Sequence, residues 1–129
     1  PVEISISGTL PEGAEDNVRV RVASIVPFLV MKSQALNDRL KEKDSWDIYY
    51  CLVNYPGGID AIAGEFKKLL GNKLVKEAFV ILRDKFSSVK SLGPMHVIAF
   101  ENITDPQEQE RVRRDVYERV SLLLKMLEF

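Results

Sequence analysis

Apolar residues recur at the three- and four-residue spacing of an α-helix through most of the sequence after residue 23. Glycine, proline and capping residues interrupt this pattern at intervals typical of helix ends. The sequence therefore predicts five helices, which run from Ser24 to about Leu40, from Asp44 to the "NYPGG" turn, from Ile59 to Gly71, from Asn72 to about Phe86, and from Asp105 to the C-terminal end.

The first 23 residues follow a different pattern, in which apolar and polar residues alternate. "VEISIS" and "VRVRVA" have the period of half-buried strands, and "TLPEGAEDN" between them is typical of a loop. Two strands alone are marginally stable in water, so the hairpin is expected to lie on helices or continue a larger sheet. The segment "SSVKSLGPMHVIAFEN" is predicted to be a loop with a short extended piece at "HVIAF". The predicted fold class is α+β, with an N-terminal β-hairpin followed by a bundle of about five helices.

Composition narrows the class of protein. A chain of 129 residues fits one domain or part of one, and a net charge of −1 gives no bulk reason to expect nucleic acid or an anionic membrane as a partner. A single cysteine excludes an intrachain disulfide and a thiolate metal cage. The longest apolar run, residues 25–31, is too short to span a bilayer. We therefore predict a cytoplasmic location.

Two cations interrupt the apolar stripe of the first helix. With Ile25 as the reference direction, Lys32 lies about 20° away and Arg39 about 40° away on the helical wheel. Two anions that follow, Asp44 and Asp47, open the next helix. These four residues form either a buried ion network or a site for an anionic ligand. In the simplest structural interpretation, Asp44 is an N-cap, Asp47 a favoured first-turn residue, and both cations extend their heads to solvent.

The stretch "KSQALNDRLKEKDSWDI" resembles the motif K-x-x-A-L-x-x-R-x-x-x-(K/R)-D-x-x-D-(L/I) of AbiEii-like nucleotidyltransferases, minimal members of the polymerase-β-like superfamily that often serve as toxins of toxin–antitoxin pairs. The matching residues are Lys32, Ala35, Leu36, Arg39, Lys43, Asp44, Asp47 and Ile48. Upstream, "VEIS" is similar to the family's strand that supplies a third acidic residue, which would here be Glu3.

The resemblance implies a catalytic protein that uses a nucleoside triphosphate (NTP) and Mg²⁺ to transfer a nucleotide to an acceptor, often tRNA, with an antitoxin as a possible partner. It implies that Lys32 contacts the triphosphate, that Asp44 belongs to the same catalytic motif and that Glu3 is a catalytic and metal-binding residue. Arg39, Lys43 and Asp47 would support these residues or contact phosphate. The hairpin would then be part of the nucleotidyltransferase sheet.

The sequence departs from the family in one respect: it has no D-x-D, the motif whose carboxylates hold the metal. In the family that motif precedes the strand that opens this sequence. The chain is thus predicted to be the C-terminal part of such an enzyme, inactive by itself, with further sequence expected before Pro1.

A competing hypothesis is a non-catalytic helical module that binds RNA or a partner protein, in which Lys32 and Asp44 form only a structural ion pair. Other candidate residues favour plain structural roles: His96 has no neighbour in sequence suited to share a metal, and Cys51 lies on an apolar helix. Arginines of the last helix alternate with acidic residues, which is typical of a solvated, ion-paired face, with RNA contact as the alternative; they are Arg111, Arg113, Arg114 and Arg119.

Overall fold

The structure, a computed structural model, describes residues 3–5, 19–21 and 25–129. Residues 25–129 form six helices in a row, which we number in chain order. They are α1 (Ile25–Arg39), α2 (Glu42–Asn54), α3 (Gly58–Lys67), α4 (Lys73–Lys85), α5 (Leu92–Glu101) and α6 (Pro106–Met126).

The predicted α+β class is wrong. Residues 25–129 are all-helical, with 78% of them in helices, and the buried apolar core comes from helices and their connections. The only strand residues described are the segments Glu3–Ser5 and Arg19–Arg21, which pair antiparallel. These described strand residues, three on each side, do not make a sheet layer that could carry one face of a domain. The remainder of the predicted hairpin, and Ser24 as a helix cap, lie outside the described residues.

Helix α2 is the central element of the bundle. It contacts α1, α3, α5 and α6, and its buried apolar residues include Ile48, Cys51 and Leu52. The apolar residues of α2 extend nearly all round the helix, which predicts such a central position. Helix α6 closes the bundle with the apolar stripe that its sequence predicts: Val112, Val116, Val120 and Leu123, continued by Leu127, are all buried.

Helix α5 replaces the predicted extended piece and most of the predicted loop, so the prediction is wrong there; residues 87–91 alone form the expected loop. Gly93 and Pro94, which suggested a break, lie in the first turn, where a proline costs no intrahelical hydrogen bond. Apolar residues nearly all round the helix hide its 3.6-residue period. Gly93 is needed for packing, because an added Cβ would lie 2.2 Å from an atom of the Phe86 ring.

Helix ends agree with the sequence at α4 and α6. The side chain of Asn72 accepts a hydrogen bond from the Val75 N–H at 3.1 Å, and that of Asp105 accepts one from the Glu108 N–H at 2.9 Å. Helix α3 is shorter than predicted, since it ends at Lys67 and leaves residues 69 and 70 exposed.

The turn between α1 and α2 is only two residues long and positions the charged residues. Leu40 ends α1 in the left-handed backbone region, with φ of 54°, and Lys41 is the N-cap of α2. A left-handed conformation costs a residue other than glycine roughly 1–2 kcal/mol. Asp44 is therefore not the N-cap that the structural interpretation assumed, but lies inside the first turn of α2.

Candidate functional site

Five charged side chains meet where α1 turns into α2. We call them the charged cluster: Lys32, Arg39, Lys43, Asp44 and Asp47. Each of these residues belongs to the motif that carries the family resemblance.

The two carboxylates lie at the bottom of the cluster, with side chains only 2% and 1% exposed for Asp44 and Asp47. Asp44 accepts hydrogen bonds from Nη2 of Arg39 at 2.9 and 3.0 Å. Asp47 lies 2.7 Å from Nζ of Lys32 and 3.0 Å from Nζ of Lys43. Lys32 also reaches Asp44 at 3.4 Å, so its ammonium group links the two buried carboxylates.

The cations cover the carboxylates to different depths. The side chain of Lys32 is 17% exposed, whereas those of Arg39 and Lys43 are 51% and 48% exposed. Buried charges need partners, and here each carboxylate has two cations within ion-pair distance. The cluster carries three positive charges against two negative ones. Its outer surface is therefore cationic, held in place by anions below it.

Arg39 has hydrogen-bonding capacity left over. A guanidinium group carries five N–H donors, and among the described residues only Nη2 of Arg39 has an acceptor. Its Nε and Nη1 donors are thus available on a half-exposed side chain whose position Asp44 fixes. Such a fork matches the geometry of a phosphate or carboxylate group.

Local structure explains why these residues meet. Lys32 and Arg39 are seven residues apart, two turns of α1, and so share one side of it. Lys43 and Asp47 are four residues apart on α2, the spacing of neighbours on a helix surface. The tight turn at Leu40 brings Arg39 to within reach of Asp44, only five residues later. The Phe28 ring lies 5.7 Å from Nζ of Lys32 and adds a cation–π contact.

The predicted site also includes Glu3. Its backbone belongs to the first strand segment, opposite Arg21, and its side chain lies outside the described part of the structure. The predicted roles of Glu3 in catalysis and metal binding therefore stay predictions.

Magnesium fits the charged cluster poorly in this arrangement, because cations already occupy both carboxylates. No three His, Cys, Asp or Glu side chains in the described residues lie together as a metal site would need. The resemblance assigns the main Mg²⁺ ligands to an upstream D-x-D motif and to Glu3, so the cluster itself is suited to an anion.

Sequence reasoning missed a polar contact next to the cluster. Ser45 is fully buried, and its Oγ lies 3.0 Å from Nδ1 of His96 on α5. Burial lowers the pKa of His96, against the opposing effect of Glu42 and Asp44. Because 51 residues separate the two partners, no local pattern could have indicated the pair.

The sequence also predicts a core role for Cys51 and an ion-paired surface for the arginines of α6. Cys51 is buried in α2, and burial, followed by the nearby Asp47 carboxylate, raises the pKa of its thiol to about 12. On α6, Arg111 pairs with Glu108 and Arg119 with Asp115, as expected for an ion-paired helix face. The alternative, RNA contact by these arginines, stays a prediction.

Comparisons with protein-family models, with curated proteins and with solved structures found no match to this chain. Among the residues that the structure describes, no helix combines the length and the apolar character needed to cross a membrane.

Proposed function

We propose that this chain is the C-terminal part of an AbiEii-like nucleotidyltransferase, which transfers a nucleotide from an NTP to an acceptor such as tRNA. In this proposal the charged cluster binds the triphosphate. The observation that carries it is the half-exposed guanidinium of Arg39, which Asp44 fixes through Nη2 alone. Catalysis of phosphoryl transfer depends mainly on positioning and on electrostatic stabilisation, and a cation fixed before the substrate arrives provides both.

The cations take different roles in this proposal. Arg39 and Lys43 contact phosphate oxygens, since about half of each side chain is accessible. Lys32 is mainly a positioning residue, because its ammonium group already lies against Asp44 and Asp47 and its side chain is mostly buried. This assignment refines the resemblance, which implies a direct contact between Lys32 and the triphosphate.

The remaining parts of the reaction would come from outside the cluster. Mg²⁺ would be held by an upstream D-x-D motif together with Glu3, and when bound it would neutralise charge developing on the phosphates. We also propose that the protein is located in the cytoplasm, where NTP and tRNA occur. An antitoxin is a possible protein partner.

Calorimetric titration with ATP tests the cluster as a triphosphate site. The chain is expected to bind ATP, and inorganic triphosphate as well, since the contacts are to phosphate. Arg39→Gln and Lys43→Gln should each weaken binding about tenfold, because a hydrogen bond to a charged group contributes roughly 1.5–3 kcal/mol. Lys76→Gln is the matched control, since Lys76 is an exposed lysine of α4 with no ion pair among the described residues. Equal affinities in all four proteins, or no binding of either ligand, would remove the phosphate-binding role.

The competing function is a non-catalytic helical module that binds RNA or a partner protein. The burial of Lys32 and its two carboxylate contacts favour this alternative, because a structural ion network has the same features. Both functions predict that Lys32 substitutions lower stability, but only the alternative predicts that Arg39→Gln and Lys43→Gln leave ATP affinity unchanged. The same titration thus separates the two functions.

A further inference from the structure

A second surface carries aromatic side chains that remain partly accessible. Trp46 of α2 stacks against Tyr50, one turn later, with ring centroids 4.9 Å apart, and against Phe100 of α5, with centroids 5.2 Å apart. Phe100 is 38% exposed, and Val53, on the same side of α2, is 40% exposed. We call Trp46, Tyr50, Val53 and Phe100 the aromatic strip.

Two carboxylates border the aromatic strip. Glu42 lies one helical turn before Trp46, and Glu101 accepts a hydrogen bond from Nε1 of Trp46 at 2.7 Å. Neither carboxylate pairs with a cation among the residues described. The surface is therefore apolar and aromatic at its centre and has two carboxylates at its edge, while the neighbouring Lys43 is paired with Asp47.

We infer that the aromatic strip docks a segment of a partner protein that carries arginine or lysine next to apolar side chains. Faces of aromatic rings attract guanidinium and ammonium groups, and the two carboxylates provide ion pairs at the edge. Aromatic side chains are also the commonest sites of concentrated binding energy in protein interfaces. A nucleic acid fits less well, because its phosphates would approach Glu42 and Glu101.

The central ring of the strip, Trp46, is held in place before any partner arrives. The Trp46 ring is fixed by its hydrogen bond to Glu101 and by two aromatic neighbours. Nearby, the Tyr49 hydroxyl donates to Asp115 and ties α2 to α6. A surface fixed in this way loses little conformational entropy on binding.

A displayed peptide library, selected on the whole chain, tests the inference. Enriched peptides should contain arginine or lysine beside leucine, isoleucine or aromatic residues. Their binding is measured by fluorescence of Trp46, the only tryptophan of the chain, which lies within the strip. Replacing the arginine of a selected peptide by uncharged citrulline should weaken binding about tenfold.

Variants of the chain localise the contact. Phe100→Ser should weaken a selected peptide about tenfold, whereas Val80→Ser, at a 50% exposed position on α4, should leave its affinity unchanged. Glu101→Lys provides a second variant at an exposed position. It should weaken the basic peptides and favour versions in which glutamate replaces arginine.

Several results would overturn the inference. These are a selection without enrichment, enrichment of acidic peptides, or selected peptides whose affinity is unchanged by both Phe100→Ser and Glu101→Lys. Sedimentation that shows a dimer dissociated by Phe100→Ser would assign the strip to a second copy of the chain instead. Saturable quenching of Trp46 by single-stranded RNA, lost in Phe100→Ser, would assign it to nucleic acid.

Discussion

Replacing Lys32 by methionine removes the cation that links the two buried carboxylates and keeps a side chain of similar length. Removing the sole partner of a buried charge costs about 3–5 kcal/mol. Here Asp44 keeps Arg39 and Asp47 keeps Lys43, both at about 3 Å but more exposed. We therefore expect Lys32→Met to lower the free energy of unfolding by about 2–3 kcal/mol, somewhat less than the loss of a sole partner.

Urea denaturation, followed by circular dichroism, measures this change. The control is Lys76→Met, which replaces an exposed helical lysine and should change stability by less than about 0.5 kcal/mol. Lys32→Met leaves the Asp47 carboxylate with Lys43 as its remaining cation. Adding Asp47→Asn then removes that carboxylate charge. The two substitutions should therefore show a coupling of about 1–2 kcal/mol in a double-mutant cycle. If Lys32→Met matches Lys76→Met, or the cycle shows no coupling, the ion network does not hold α1 against α2.

Three further predictions concern pH, reactivity and packing. Burial lowers the pKa of His96 below its unfolded value, so the unfolded state binds more protons as the pH falls. The contribution of a neutral His96 to stability is therefore complete above about pH 6.5 and is lost at lower pH. His96→Gln should flatten the decline in the free energy of unfolding that urea denaturation measures between about pH 7.5 and 5. Cys51, with a buried thiol whose pKa is raised to about 12, should react with a disulfide reagent at neutral pH only as fast as the chain unfolds, and rapid labelling of the native protein would contradict this. Gly93→Ala would place a methyl group against the Phe86 ring and should lower stability by about 1–3 kcal/mol or more. Gly64→Ala, at an open helix position, should instead stabilise the chain by about 0.5–1 kcal/mol. Equal effects of the two substitutions in thermal unfolding would refute the packing argument.

Periodicity predicted most of the helical part of the fold because the helices bury one face each. The stripe of α6 and the caps Asn72 and Asp105 are local features that a sequence displays directly. Helix α5 escaped prediction because apolar residues surround it and Gly93 and Pro94 are breakers elsewhere in a helix. The α+β class failed because alternation of apolar residues does not tell whether a strand has enough partners to form a sheet layer.

The charged cluster was partly predictable for a geometric reason. Helical-wheel angles place Lys32 and Arg39 in the apolar stripe of α1, and the two carboxylates expected to face them, Asp44 and Asp47, do contact them. The depth of each cation was not predictable, since it depends on the left-handed turn at Leu40 and on helices distant in sequence. In the proposed function, the exposure of each side chain distinguishes Arg39 and Lys43, which contact phosphate, from Lys32, which positions them.

The central claim is that the outer cations of the charged cluster receive a triphosphate, and arginine side-chain signals in proton–nitrogen correlation spectra test it most directly. Titration with ATP should shift the Nε–H signal of Arg39 in a saturable way, because that donor has no acceptor among the described residues while Asp44 holds Nη2. The Nε–H signal of Arg119, whose Nε already donates to Asp115 on α6, should stay in place. An Arg39 signal that does not move at saturating ATP, or equal shifts of both arginines, would contradict the claim and leave the cluster with a structural role.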